Sequence, residues 1–296
     1  FVPLHWTKIF LIQLLNIAGL GPIFGAIMGA LFGPAAFLWI VLGSIFAGAT
    51  HDYLSGMMSV RHQGKSISEI VGIYLGEKMR KLMVAFSVVL LILVGTVFMA
   101  GPAGLLANLG MTGIFANKTF WLVIIIIYYF LATVVPVDKI IGRIYPLFGA
   151  ALLFMAVGIA GAMILGNFPI PEITLANLHP KALPLWPMLF ITIACGAISG
   201  FHATQSPMMA RCMQNESNGR FIFYGAMIGE GIIALIWCTL GLSFYESPAA
   251  LNATMAAGGP AKVVHEVSTS LLGGFGGILA ILGVVVLPIT SGDTAF

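Results

Sequence analysis

Apolar residues in this chain come in runs of about twenty, broken by short polar or basic connections. A bilayer core needs about 20 mostly apolar residues per helix. On that measure the sequence predicts eight spans: Lys8–Ala30, Pro34–Ser59, Lys81–Ala107, Phe120–Val137, Arg143–Leu165, Leu185–Ala210, Gly219–Phe244 and Leu271–Thr290. Runs such as Leu122–Phe130 lack the ten-residue alternation of a transmembrane barrel strand, so an all-α polytopic membrane protein is expected. Two connections are too long for turns. Ser66–Glu77 mixes charge with apolar residues at helical spacing and is expected to lie along a membrane surface. Tyr245–Ser270 is expected to be an outer loop, rich in Pro and Gly at its middle, with a short helix over Ala261–Thr269.

Charge decides which way the spans run. With the start of the first span cytoplasmic, the inner side receives Lys8, Arg61, Lys65, Lys78, Arg80, Lys81, Lys139, Arg143, Arg211 and Arg220. The outer side receives only Lys118, Lys181 and Lys262, a strong positive-inside bias. Composition removes whole classes of function: of 296 residues 59% are hydrophobic and 8% charged, against about 25% charged in an average soluble domain. A cytosolic enzyme, a disulfide scaffold and a nucleic-acid-binding domain are all excluded. Cys195, Cys212 and Cys238 show no CxxC spacing, and no HExxH motif or serine elbow occurs, so neither a cofactor nor a structural metal is expected. The chain starts on Phe1 and stops at Phe296, and further helices are expected beyond it.

Helix breakers suggest a repeat. Pro22 and Pro207 are 185 positions apart; Gly33 and Gly219, and Pro102 and Pro288, are each 186 apart. That offset spans five helices, so the second copy crosses in the opposite sense, as in the inverted repeats of secondary transporters. The first repeat would cover residues 1–166 and the second 185–296, with 167–184 as an outer connection. Proline lacks an N–H and clashes with the carbonyl four residues back. Pro22 is therefore expected to free the carbonyl of Ala18, beside Gly19 and Gly21, and Pro207 that of Ala203, within His202, Thr204, Gln205 and Ser206. Pro288 would free that of Val284, ahead of Thr290, Ser291 and Asp293. Such breaks offer carbonyls to a cation and helix N-termini to a carboxylate.

These residues form two candidate sets. Gly19, Gly21, His202, Thr204, Gln205 and Ser206 are expected at the substrate, near the midplane between the first and sixth spans. Ala18, His51, Asp52, Glu230, Thr290, Ser291 and Asp293 are expected to carry a coupling proton or cation. Ionisable groups inside a span are functional candidates by default. Asp52 has a bracing alternative with Arg61 or a backbone amide, and Glu230 one with Arg211 or His202. Gly21, Gly25, Gly29 and Gly33, every fourth residue, are expected to form a packing ridge.

Four blocks carry a resemblance: Leu20–Gly29, HDYLSGMMSVRHQGKSISEIVGIYLG over His51–Gly76, FHATQSPMMARC over Phe201–Cys212, and LPITSGDTAF over Leu287–Phe296. Together they are similar to the carbon starvation protein A family. That resemblance implies a multi-pass transporter of the bacterial inner membrane, induced by nutrient limitation, importing short peptides or pyruvate by H⁺ or Na⁺ symport. It also implies distant kinship with the LeuT-like amino acid–polyamine–organocation transporters and their five-plus-five inverted repeat. The expected partners are a small-molecule substrate and membrane lipids, with no nucleic acid and no assigned oligomeric state. A membrane solute sensor and an intramembrane enzyme are the alternatives.

Overall fold

The computed structural model describes the backbone of residues 3–109, 112–134 and 138–295, and their side chains apart from 134, 138–148, 195 and 293–295. Every regular element among the described residues is helical. Among the described residues four helices are long and apolar enough to cross a membrane, or five if a bent pair is counted as one span. These apolar helices make the chain a multi-pass membrane protein.

The first predicted span is the bent pair. Helix α1 (Trp6–Ala18) and helix α2 (Gly21–Ala30) meet at 52°. The break lies upstream of the proline expected to cause it. Gly19 adopts φ +47°, and Pro22 sits in the first turn of α2, where a missing N–H costs no helical bond. Helix α3 (Ala35–Arg61) passes through a π-helical stretch at Gly43–Gly48. The connection after it contains α4 (Ile67–Leu75), begun by a capping box in which Ser66 and Glu69 bond each other's backbone amides. Those bonds from Ser66 hold the exposed Glu69 carboxyl below its ordinary pKa. Ile73, Tyr74 and Leu75 are exposed on α4, consistent with a helix lying at a membrane surface.

Helix α5 (Glu77–Ala107) runs 31 residues, about 46 Å at 1.5 Å per residue. Only 11% of its most apolar stretch is buried. Helices α6 (Lys118–Val134) and α7 (Asp138–Leu165) follow. The sixth predicted span is broken more thoroughly than a proline kink would break it. It comprises Leu185–Leu189, Phe190–Thr192 and Ala194–Ala197, a gap holding Ser199 at φ +48°, and then α8 (His202–Ala210). Helix α9 (Glu216–Ser243) has a buried centre around Trp237.

The expected outer loop is a correction. Residues Pro248–Ala295 form one helical run, α10, redirected at Gly259 (φ +70°) and Gly273 (φ +70°). Apolar residues at helical spacing on both sides of the glycines, including the buried Leu251, Val263, Val264 and Val267, keep the segment helical.

The glycine ridge packs as expected. A methyl on Gly25 would sit 3.2 Å from the Thr192 carbonyl, one on Gly29 would overlap Ile193, and one on Gly196 would sit 3.3 Å from the Gly21 carbonyl oxygen. Small residues thus let α2 press against the broken segment before α8. That contact positions the site.

Candidate functional site

The two broken spans meet at their breaks. The last carbonyls of α1 have no intrahelical donor, as at any helix C-terminus. Hydroxyls from two distant segments cap them: Ser199 Oγ donates to the Ile17 carbonyl at 3.4 Å, and Ser291 Oγ to that of Asn16 at 2.8 Å. Ser291 also reaches the Leu287 carbonyl at 2.9 Å, and Thr290 Oγ1 reaches it at 2.8 Å. The break in α1, the break before α8 and the far end of α10 form one junction.

Beside this junction lies a cavity of about 590 Å³. One wall is the α1–α2 break with Ala18, Gly19 and Gly21; the opposite wall is the second break with Ile198, Gly200 and Phe201. Helix α5 closes the third side with Leu90, Leu93, Val94, Val97 and Phe98. Phe98 and Phe201 meet edge-on with centroids 5.7 Å apart. Phe98 also explains Gly19: a methyl there would come within 2.9 Å of the ring, on a backbone already at positive φ. The cavity is lined mainly by apolar side chains, with Thr192 and the backbone at the breaks as its polar elements, the usual composition of a small-molecule pocket.

A polar layer is buried around α3, α8 and α9. Asp52 on α3 is fully buried and accepts from two other elements. Gln13 Nε2 of α1 donates to its two oxygens at 3.0 and 3.1 Å, and Ser206 Oγ of α8 donates at 2.5 Å. The same amide donates to Ser206 Oγ at 3.0 Å, closing a triangle. Next to it, His51 Nδ1 and His202 Nε2 share a hydrogen bond of 2.6 Å. His51 is exposed and His202 buried, so the pair joins the surface to the interior. Glu230, on α9, is fully buried, and neither of its oxygens has a hydrogen-bond partner among the described residues. The same holds for both amide atoms of the buried Gln205.

The expected residues therefore divide. Ala18, Gly19 and Gly21 line the cavity. His202, Gln205 and Ser206 sit in the polar layer, and Thr204 caps locally by donating to the Phe201 carbonyl at 2.9 Å. The bracing alternatives are not those the structure uses: Arg61 pairs with Glu216 at 2.9 Å and Arg211 donates to the Gly64 carbonyl. The Asp293 and Cys195 side chains lie outside the described residues. Sequence reasoning missed Gln13, Ser199 and Phe98. Gln13 and Ser199 could have been found as polar residues in apolar surroundings, whereas Phe98 carries no local signal.

A family model described as carbon starvation protein CstA matches residues 1–112 and 104–274. A protein of Haemophilus influenzae described as an uncharacterized membrane protein is 47% identical, across 87% of this chain and 83% of its own. The peptide transporter CstA of Bacillus subtilis is 30% identical across 75% of this chain and 48% of its own length. The pyruvate/proton symporter BtsT of Escherichia coli is 26% identical across 80% and 42%. The chain thus spans less than half the length of these two named transporters.

Proposed function

The chain belongs to the carbon starvation protein CstA family, and from that premise we propose that it forms the solute-conducting core of a secondary transporter for short peptides or pyruvate-like carboxylates, driven by H⁺ or Na⁺. One observation carries the reading: two broken helices from distant parts of the sequence face each other across the 590 Å³ cavity. Broken backbone at membrane depth persists where it is buried in protein or lines a cavity, and transporters place their substrates at such breaks.

The roles follow from the chemistry. Gly19 and Gly21 present backbone to the solute, because no side chain stands between the break and the cavity. His202, Gln205 and Ser206 supply polar groups behind the second break. Glu230 carries the coupling proton if the ion is H⁺: it is a carboxyl with no donor to hold its charge. His51 and Asp52 belong to the same coupling set, the Asp52 carboxyl gathering Gln13 and Ser206 around it. If the ion is Na⁺, the Ala18 carbonyl with Thr290, Ser291 and Asp293 supplies the oxygen-rich alternative. The inverted repeat is part of the proposal. That the first and sixth predicted spans both break, at Gly19 and Ser199, supports it, although these two positions are 180 apart and not 185 or 186. The eight-span count and a location in the bacterial inner membrane, with the chain's start on the cytoplasmic side, belong to it as well.

The test is uptake by proteoliposomes. Labelled pyruvate and a labelled dipeptide should be offered under an imposed pH gradient and, separately, a Na⁺ gradient. Accumulation of either solute that collapses with one gradient is expected. Binding without gradient-driven accumulation would defeat the transport reading.

A further inference from the structure

A second cavity, of about 360 Å³, lies at the other end of α5 from its basic start. Its walls are Gly101, Gly104 and Asn108 at the end of α5, Lys118 at the start of α6, and Gly258–Ala261 at the first redirection of α10. Phe24 of α2 lines this cavity and the central one alike. The two chambers therefore stand in series, with one aromatic ring common to both. Gly101 leaves room for that arrangement, since a methyl there would overlap Leu20 and come within 3.8 Å of the Phe24 ring.

The outer chamber differs from the inner one in charge. The stem of Lys118 reaches over Gly104, with its Cε 4.0 Å from where a methyl on that glycine would stand. Among the described residues no carboxylate lies within 4 Å of the Lys118 ammonium, whereas nearby Lys262 is 3.9 Å from Glu266. Asn108, the polar neighbour in the wall, commits its amide to the Gly104 carbonyl at 2.8 Å. The charge available to a visiting solute is therefore a positive one, on the exposed Lys118 at the mouth of a chamber otherwise lined by Gly, Ala, Pro, Phe and Asn108.

We infer that this chamber is an anion-selecting antechamber, in which Lys118 receives the carboxylate of a small organic acid before the solute passes Phe24 into the central cavity. The inference rests on the transport reading for its sequence of events, but not for the binding step. An unpaired ammonium beside low-dielectric walls attracts a carboxylate more strongly than it would in open water. It selects for the charged end of pyruvate and against its neutral ester.

Binding and transport are tested apart. Modification of Lys118 by trinitrobenzenesulfonate is followed by peptide mass spectrometry on the full chain in proteoliposomes, at constant ionic strength. Sodium pyruvate should slow the reaction at Lys118 at least threefold, methyl pyruvate and chloride should not, and Lys181 should respond to none of them. Equal slowing by the ester or by chloride, or no slowing, overturns the inference. In uptake, Lys118→Gln should raise the pyruvate concentration for half-maximal rate about tenfold at unchanged maximal rate, and Lys118→Arg should stay within twofold of the parent. An unchanged half-maximal concentration in a folded Lys118→Gln also overturns it. Protection of Lys118 without any uptake would sink the transport reading and leave the chamber standing. Uptake without protection would do the reverse.

Discussion

Asp52 and Glu230 are both carboxyl groups shut off from solvent, yet their surroundings could hardly differ more. Three hydrogen bonds converge on Asp52, and none among the described residues reaches Glu230. Removing a partner from a buried network strands the rest, at about 1–3 kcal/mol per orphaned group. Asp52→Ala should therefore destabilise the protein by about 3 kcal/mol, through Gln13 and Ser206 left without their acceptor. Glu230→Gln should cost less than about 1 kcal/mol, since it breaks no bond. Thermal unfolding in one detergent checks both. In uptake assays Glu230→Gln should flatten the pH dependence, and a parental profile would return Glu230 to a purely structural role. At the membrane surface Ser66→Ala should cost α4 about 1 kcal/mol and speed amide exchange over residues 67–75 about fivefold. Glu69 adds a pH dependence with a fixed sign. Its carboxyl is held below its ordinary value, so the contribution is complete above that value and fades as pH falls through the folded one. Protection factors over α4, with the intrinsic pH dependence of amide exchange divided out, should fall on acidification and stay flat above neutrality.

At the scale of elements, the sequence showed where the chain breaks more reliably than it showed how. Pro22 and Pro207 marked the right spans, because a residue without an N–H is tolerated in a membrane helix only near a disrupted ladder. The disruption itself sits a few residues earlier, at Gly19 and Ser199, where positive φ turns the backbone. A serine at positive φ is held there by its surroundings rather than by its own preference, so no local pattern announces it. The segment after Tyr245 was misread for a related reason: glycines 259 and 273 look like loop residues but serve as corners in a helix. What α3 contributes shows in its contact with the second break. A methyl on Gly48 would lie 2.7 Å from the Ala197 carbonyl and 3.1 Å from Ile198 Cα, both backbone atoms without room to yield. Gly48→Ala should therefore cost about 1–3 kcal/mol, measured as loss of thermal stability, and should displace the break lining the cavity. An Ala variant as stable as the parent would show that α3 and the second break are not in tight contact.

Across the whole molecule, the basic residues and the long axis of α5 make one prediction together. The segment 61–80 adjoins the start of that helix and Lys118 follows its end, about 46 Å away. Single cysteines in the 61–80 segment and beside Lys118 should react with an impermeant thiol reagent from opposite faces of a sealed vesicle. Labelling of both from one face would remove the orientation argument and the inverted repeat with it.

Helix α5 has one further consequence. It forms a wall of the central cavity with Leu93 and Val97, residues whose side chains remain 63% and 53% exposed. On the proposed reading, with the outward side of α5 toward lipid, a single helix would stand between this cavity and the acyl chains. Bilayer thickness acts on a helix by tilting it, at a fraction of a kcal/mol per ångström of mismatch. On that reading such a tilt would alter the width of the cavity, and bilayer thickness is expected to change what it holds.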